Sequence, residues 1–446
     1  MMFSSPWHYF TDPVLQAPTI GSILMCLASA LIGVIVFLRR RSLLGEALSH
    51  ASYPGVVISI FFIATFFPNA RDAGPLVVMI GAFCTAVLGL WMIHKMERRL
   101  KVNNDAALCF VLSIFFGVGV LIASRLQFTH ALWYKTVNVF LYGQAATMTD
   151  IHIYLYAGLA LLILSSVFFL YHPLKITVFD PDYAKSVGVP FKLLETLLFL
   201  LLNLAIIIGI RSVGVVLMAG MLIAPAIAAR QFSHRLKGVF GLAALFGAFS
   251  GFFGNYLSVE LPQWGKNQGW EWKFTLPTGP MILLSASCIC VISLFLAPKS
   301  GIVQRLLRRA RFQRQCQAEN LLKHLWKKGD RNFIAIRDLK AGSSYSSWRL
   351  FWMLFKLKRE GWIDQKGKQI ALTLDGWKRA SHIVRLHRLW ELYLVHLGQG
   401  VEKVHRSAEE MEHILTPDLE KELTELLDNP SEDPHRQPIP ARERPL

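Results

Sequence analysis

Apolar residues fill the first 298 positions of the chain and then give way to a mixed, charged pattern. A bilayer core of about 30 Å takes roughly 20 apolar helical residues to cross. Stretches of this kind lie at about 19–38, 52–68, 75–94, 106–124, 151–171, 193–210, 213–230, 237–257 and 278–297. Residues 131–146 are expected to form a re-entrant or interfacial piece. The pattern predicts an all-α polytopic membrane bundle of about nine spans.

Beyond residue 298 the apolar positions follow the spacing of short amphipathic helices and a hairpin. The pattern predicts helices over 318–328, 333–340 and 345–360, a β-hairpin over 361–370 with Gly at its turn, and a helix from Asp375 to about His396. A helix-turn-helix followed by such a hairpin, or wing, is a DNA-binding arrangement. The tail is therefore expected to contain a winged helix.

The predicted winged helix contains residues that are candidates for contacting DNA. Those at the start of the recognition helix are Ser344, Ser346, Ser347 and Arg349, and those on the wing are Lys366 and Lys368. Lysines on a wing would reach phosphates, which positions the protein on the duplex. The alternative is a winged helix that is used only for protein contacts.

Charge is distributed unevenly along the chain, which carries a net +17. Residues 299–388 hold 22 basic and six acidic side chains, a net +16, whereas 389–446 hold six basic and 13 acidic ones, a net −7. This order is typical of a nucleic-acid-facing module joined to a metal-facing one. Ordinary solvated charge and a positive-inside bias would give the same distribution.

Basic residues also orient the predicted bundle. They cluster in alternate loops, at 39–41, 95–101, 175–192 and 230–237, and again from Lys299 onward. Since Lys and Arg accumulate in cytoplasmic loops, the N-terminus is expected outside and the tail in the cytoplasm.

Two ionisable residues lie at the start of the predicted second span. Glu46 and His50 are four residues apart and therefore share one helix face. A carboxylate and an imidazole at this spacing can hold a divalent ion, and ionisable groups at membrane depth are usually functional. The alternative is that both residues only begin a cytoplasmic helix next to Arg41.

The residues around this pair carry a family resemblance. The run Gly-Glu-Ala-Leu-Ser-His-Ala-Ser-Tyr-Pro-Gly, from Gly45 to Gly55, resembles the signature of permease subunits of zinc, manganese and iron ABC importers, in which Asp is commoner than Glu46. Other similar segments are Asn104–Leu108, Phe179–Gly188, Val213–Ala226 and Pro277–Pro280. The resemblance covers about residues 15–298 and implies that Glu46 and His50 line the ion path, whose third ligand it does not place.

The same resemblance implies the rest of a transporter. In such permeases the loop that corresponds to Ala184–Gly188 forms a short coupling helix that docks on an ATPase. The sequence has no G-x-x-x-x-G-K-[ST] phosphate loop, so ATP hydrolysis is expected in a separate ABC ATPase subunit and the chain is not expected to be an enzyme. An extracytoplasmic metal-binding protein and a second permease copy or paralogue complete the expected assembly, in the inner membrane of a bacterium.

The tail concentrates imidazoles and carboxylates on two predicted helices. They are His387 and Glu391 on the first helix, and His405, Glu409, Glu412 and His413 on the second. Spacings of three and four residues let these side chains face one another across the helix pair, although a helix with several Glu and His is also commonly a solvated face. Oxygen and imidazole donors without thiolate favour Mn²⁺ or Fe²⁺ over tight structural Zn²⁺.

The tail resembles the diphtheria-toxin-repressor class of iron- and manganese-dependent repressors over about residues 318–440. The resemblance is carried by Arg388-Leu389-Trp390-Glu391-Leu392, Val404-His405, Glu412-His413 and Asp433-Pro434-His435. It implies one metal site from His387, Glu391 and His405 and a second from Glu409, Glu412 and His413. The usual further ligand falls at Asn320, whose neutral carbonyl predicts a weaker or shifted second site.

Bridging of the two helices by metal would fix a homodimer on operator DNA at one half-site spacing. Apolar residues expected to supply the dimer surface, or else to close the domain's own core, are Trp390, Leu392, Val395, Ile414, Leu423 and Leu426.

The combined prediction is a permease fused to a metal-dependent repressor. Its regions are a membrane permease at 1–298, a basic linker at 299–316, a winged-helix domain at 317–378 and a metal-binding and dimerisation domain at 379–446. A tethered repressor reaches chromosomal DNA poorly, so either the linker is cut or DNA comes to the membrane. The rival prediction makes the tail a cytoplasmic metal-sensing gate that does not bind DNA.

Overall fold

The structure, a computed structural model, describes residues 5–67, 74–269, 276–298, 301–328, 332–341 and 346–441. The chain divides into two compact units, Met1–Gln304 and Arg305–Leu446. The first unit is entirely helical among its described residues. The second combines helices with one small sheet.

The first unit contains thirteen helices within its described ranges. They are α1 His8–Thr11, α2 Pro13–Leu38, α3 Ser42–Phe66, α4 Gly74–Arg99, α5 Asn104–Thr129, α6 Ala131–Tyr142, α7 Asp150–Phe169, α8 Tyr171–Phe179, α9 Pro181–Ser186, α10 Phe191–Val213, α11 Val215–Phe232, α12 Leu236–Asn267 and α13 Thr278–Leu296, with a 3₁₀ turn at Ala145–Thr147. Nine of these described helices are long and apolar enough to cross a membrane, namely α2–α5, α7 and α10–α13. The predicted all-α polytopic bundle is confirmed.

Residues 131–146 form a short helix and a turn. Helix α6 has 12 residues, which at about 1.5 Å per residue gives roughly 18 Å, too short to cross a bilayer. It ends at Gly143, whose φ of +75° lies in the left-handed region that glycine adopts without strain.

Helices α2 and α3 are the most enclosed spans of the first unit. Small residues let the backbones approach closely, as is typical of membrane helices. A Cβ on Gly33 of α2 would lie 1.9 Å from the carbonyl oxygen of Leu222 in α11, and one on Gly55 of α3 would lie 2.1 Å from that of Gly81 in α4. Helix α3, which carries Glu46 and His50, is therefore fixed by close backbone packing.

The second unit is a three-stranded sheet surrounded by helices. Its elements are α14 Ile302–Lys328, β1 Ile334–Ala335, α15 Ile336–Ala341, α16 Ser347–Arg359, β2 Ile363–Lys366, β3 Gln369–Leu372, α17 Leu374–His396, α18 Val401–Met411 and α19 Pro417–Leu426. The strand order is β1-β3-β2, all antiparallel. Leu322, Leu357 and Ile370 are fully buried in the core between α14, α16 and the wing.

Two elements differ from their predicted bounds. Residues 302–316, which belong to the linker predicted over 299–316, are the first part of the continuous helix α14. Within 333–340, where the sequence predicts one helix, the chain first forms the strand β1 because Ile334 pairs with Ile370 in the wing. Only the rest of this segment is the helix α15. Ile370 lies far along the sequence, so local periodicity does not reveal the pairing.

Candidate metal centre

Helices α17 and α18 bring three of the predicted ligands together. Nε2 of His387 lies 3.1 Å from Oε1 of Glu391 and 3.1 Å from Nδ1 of His405. The latter atom lies 2.7 Å from Oε1 of Glu391. The i,i+4 spacing places the first two residues one turn apart on α17, and α18 supplies the third. One ligand atom from each residue lies within 4.8 Å of the others.

The cluster has a buried side and an open side. His387 and Glu391 are buried, whereas the His405 side chain is 53% exposed. A cavity of about 380 Å³ borders all three residues and is also lined by Asp433 and His435. The arrangement leaves an ion a route from solvent to the buried carboxylate.

The electrostatic surroundings of the Glu391 carboxylate favour a bound cation. Burial alone would raise the pKa of Glu391, but interactions with His387 and His405 lower that pKa to about 2. Burial likewise disfavours a charged His387, yet the carboxylates of Glu391 and Glu412 raise its pKa above the ordinary histidine value. Glu391 is therefore ionised at neutral pH, and a metal would compete with a proton for His387.

Two imidazoles and a carboxylate that meet from two helices fit a divalent ion of the manganese or iron type. Bound metal would cross-link α17 to α18. Glu412 supports this centre from behind, since its Oε2 lies 2.5 Å from Nδ1 of His387. A carboxylate in that position holds the ring so that its other nitrogen can face an ion.

The second predicted ligand set is arranged differently. The Glu412 side chain is fully buried, and both of its oxygens lie 2.8 Å from Nζ of Lys323. Nδ1 of His413 lies 2.7 Å from Oε2 of Glu319, and its Nε2 lies 3.2 Å from Oδ1 of Asn320. The structure therefore brings Glu412 and His413 against α14, the helix that carries Asn320.

The remaining member of that set lies at the surface. Glu409 is about half exposed, and its Oε1 lies 3.7 Å from Nε2 of His405. Its carboxylate therefore approaches a member of the first cluster.

Sequence reasoning missed the charged residues of α14 that complete this region. Glu319 accepts a 2.7 Å hydrogen bond from Arg379, and with the bond to His413 this outweighs burial and lowers the pKa of Glu319 to about 2. The available signal was the pair Glu319 and Lys323, four residues apart on a helix whose neighbouring leucines are buried.

Of the predicted DNA-contacting residues, Ser347 and Arg349 lie on α16, Ser346 caps it, and Lys366 and Lys368 lie on the wing. Ser344 is outside the described residues, and Ser347 begins α16. Ser346, Arg349, Lys366 and Lys368 are solvent-exposed. The charged side chains of Arg349, Lys366 and Lys368 are therefore accessible from solvent.

Helix α16 also presents a surface that the sequence analysis did not identify. Trp348, Phe351, Trp352 and Phe355 are each at least half exposed. The signal was their spacing of three and four residues, which places them along one face of α16.

Of the apolar residues expected at a dimer surface or in the core, some are buried and others are exposed. Leu423 is buried, Ile414 and Leu426 are exposed, and Trp390, Leu392 and Val395 are partly exposed. Core and surface roles therefore fall on different members of the set.

In the membrane unit, Glu46 and His50 lie one turn apart on α3. Glu46 is partly buried and His50 is buried, with its ring edge-on to Phe116 at a centroid distance of 4.7 Å. Nδ1 of His50 has no hydrogen-bond partner within the described part of the chain. An imidazole with an unpaired nitrogen beside a carboxylate has the chemistry of a transient cation ligand.

The predicted coupling segment includes helix α9. Asp180 caps this helix by accepting a hydrogen bond of 2.9 Å from the backbone N–H of Tyr183. Ala184 is buried, and Gly188 follows the helix with a φ of +79°. Tyr183 and Val187 are exposed.

Comparison with known proteins assigns the membrane unit to a class. The ABC 3 transport family matches residues 11–297, and the chain belongs to this family. Residues 373–441 match the metal binding and dimerisation domain of iron dependent repressors. Both resemblances drawn from the sequence are thereby confirmed.

Particular relatives cover one or both parts of the chain. A probable metal transport system membrane protein of Chlamydia trachomatis is 35% identical, with 98% of each chain covered. The manganese transport system membrane protein MntC of Bacillus subtilis is 32% identical over 89% of this chain and 87% of its own length. The solved structure of PsaBC from Streptococcus pneumoniae in complex with Fab is 26% identical, with a TM-score of 0.55, and covers 68% of this chain and 97% of that one.

Proposed function

We propose that the chain is the permease subunit of an ABC importer for a divalent metal, and that its cytoplasmic tail is a metal-dependent transcriptional repressor. The observation that carries the regulatory half is the convergence of His387, Glu391 and His405 from two helices. Their oxygen and nitrogen donors favour Mn²⁺ or Fe²⁺, with Zn²⁺ as the third candidate.

The transport half is supported by family membership and by the metal transport functions of the relatives. Glu46 and His50 would bind the ion in transit. The exposed Tyr183 and Val187 beside Ala184 and Gly188 would contact a separate ATPase subunit. An extracytoplasmic metal-binding protein would deliver the ion, and a second permease copy or a paralogue would complete the pathway.

Uptake of radiolabelled manganese or iron in cells tests this half. Glu46→Gln and His50→Gln are expected to abolish uptake while the protein still reaches the membrane. His94→Gln is the matched control, because His94 bonds only to Leu90 of its own helix among the described hydrogen bonds. Unchanged uptake in the first two variants would remove them from the path.

The repressor half is supported by the exposed cations of the winged helix. Arg349, Lys366 and Lys368 would contact phosphates, and metal bound between α17 and α18 would fix two copies at one half-site spacing. The test measures binding of the full-length protein, in nanodiscs, to the DNA upstream of its own gene. Binding with Mn²⁺ or Fe²⁺ that is lost with chelator is expected, and metal-independent binding would reject the co-repressor role.

A cytoplasmic tail also has to reach its operator. The distribution of basic loops supports a tail inside the cell. Release would require cleavage near the start of α14, where residues 302–309 are exposed. Because α14 is helical there, a protease would need the helix to unwind locally. An immunoblot against the tail distinguishes a soluble fragment of roughly 15 kDa, at about 110 Da per residue, from an intact chain.

One observation favours a second function, a metal-sensing gate that does not bind DNA. The aromatic face of α16, formed by Trp348, Phe351, Trp352 and Phe355, is more typical of an interaction surface for protein or membrane than of a phosphate-facing helix. Transport into proteoliposomes, measured with and without Mn²⁺ on the tail side, tests this function. Metal that slows transport without DNA would support the gate, and an unchanged rate would reject it.

A further inference from the structure

We propose that Lys323 is a built-in cation that takes the place of a second metal ion, so that the tail binds one divalent ion per chain. The inference rests on the proposed metal site at His387, Glu391 and His405. It concerns the second ligand set, in which Glu412 and His413 pack against α14, the helix that carries Asn320.

The ammonium group of Lys323 already satisfies the central carboxylate of that set. Nζ lies 2.8 Å from both oxygens of Glu412, and the two side chains are 9% and 0% exposed. The same ammonium therefore contacts both oxygens through which Glu412 could bind a metal, and Oε2 also lies 2.5 Å from Nδ1 of His387. A buried carboxylate with a bidentate cation partner has its charge compensated without any added ion.

The other members of the set also have partners in the protein. His413 contacts Glu319 through one nitrogen and Asn320 through the other. Glu319 in turn is held by Arg379 at 2.7 Å and by Gln315 at 3.2 Å. A divalent ion would have to break these bonds and lie beside a buried ammonium of like charge, which is unfavourable.

The first cluster has no such internal cation within hydrogen-bond distance of its carboxylate among the described residues. The partners that Glu391 has there are the imidazoles of His387 and His405, whose ring nitrogens are themselves metal-ligand atoms. The two sets therefore differ in one respect that decides occupancy: Glu391 faces two possible metal ligands, whereas Glu412 faces a tethered ammonium, which cannot bind a metal.

The consequence for regulation is structural. Lys323 ties α14, the first helix of the winged-helix module, to the end of α18 whether or not metal is present. Metal would then act only on the contact between α17 and α18. The tail would respond to a single ion with no cooperativity between two sites.

Metal counting on the full-length protein tests the proposal. Purified wild type and variants are equilibrated with Mn²⁺, dialysed, and analysed for manganese per chain by mass spectrometry. The readout is the difference from wild type, because the membrane unit contributes its own ions equally. Glu391→Gln is expected to lose one manganese, and His413→Gln none.

Lys323→Glu, which exchanges the ammonium for a carboxylate, is expected to gain one manganese. Lys323→Arg is the control that keeps the positive charge, and its manganese content should equal that of wild type. A gain of none in folded Lys323→Glu contradicts the proposal.

Loss of one manganese in His413→Gln would overturn the proposal even if Lys323→Glu fails to fold, since it would show that the second set holds metal in the native chain. An unchanged manganese content in Glu391→Gln is a separate result, which rejects the proposed metal site itself.

Discussion

His50 in the membrane unit and His387 in the tail are both buried imidazoles one helical turn from a carboxylate, yet their surroundings differ. His50 packs against the ring of Phe116 and keeps one nitrogen without a hydrogen-bond partner in the part of the chain described. The ring nitrogens of His387 lie 2.5–3.1 Å from side-chain atoms of Glu391, Glu412 and His405.

The difference corresponds to two tasks. A transport path must bind an ion well enough to admit it and weakly enough to release it. A sensor must retain the ion until the cellular concentration falls. In the proposed function, few ligands at Glu46 and His50 and several convergent ligands in the tail would divide these tasks between two sites of one chain.

Removal of one ligand from the tail cluster should have the largest effect, on metal-dependent DNA binding. Glu391→Gln deletes the only charged ligand of the first cluster. The Mn²⁺ concentration required for DNA binding should therefore rise by more than about 100-fold. This exceeds the loss expected when a residue that only supports a ligand is removed. Uptake should be unchanged. Glu422→Gln, an exposed substitution on α19, is the control, and an equal effect of both variants would contradict the assignment.

Removal of the buried ammonium should be the next largest effect. Lys323→Met leaves Glu412 as an uncompensated buried charge and should destabilise the metal-free tail by about 3–5 kcal/mol. The urea concentration at which protease cuts the tail of the full-length protein measures this loss. Lys421→Met, which removes an exposed pair with Glu425 at 3.8 Å, should cost less than about 1 kcal/mol. Similar costs for both lysines would disprove the role given to burial.

Acidification should weaken metal binding at the tail site without protonating Glu391. Its pKa of about 2 keeps this carboxylate ionised, whereas the raised pKa of His387 means that protons compete with metal from above the ordinary value of about 6.5 downward. Manganese affinity should fall about tenfold per pH unit for each proton displaced. Calorimetric titrations across this range measure the slope, and a flat profile would exclude His387 as a ligand.

The same groups set the stability of the metal-free tail against pH. The raised pKa of His387 gives stability that is complete below its unfolded pKa and is lost as pH rises through the folded one. The lowered pKa of Glu391 gives stability above its unfolded pKa that is lost as pH falls toward about 2.

The wing lysines should have the smallest effect. Replacement of Lys366 and Lys368 by Ala should weaken DNA binding equally on all sequences and reduce the salt slope by about 0.9 for each phosphate that is no longer neutralised. Binding measured at several salt concentrations gives this slope. An unchanged slope would favour the gate function, in which α16 and the wing do not touch DNA.

Sequence periodicity predicted the spans because they depend on local spacing, and it placed His387 and Glu391 on one helix face. The grouping of these two residues with His405 came from the resemblance to metal-dependent repressors. His387 and Glu391 share a face of α17, and apolar runs of span length define the bundle. Long-range pairings were not predictable in this way. Lys323 meets Glu412 across 89 positions, and β1 forms only because Ile370 supplies its partner.

The most direct measurement of the central claim is anomalous X-ray scattering at the manganese edge from crystals of the full-length protein grown with Mn²⁺. We expect one peak in the tail, bound by His387, Glu391 and His405, with the ion pair between Lys323 and Glu412 intact. A peak between Glu412 and His413 with Lys323 displaced, or a tail without any manganese, would contradict this claim.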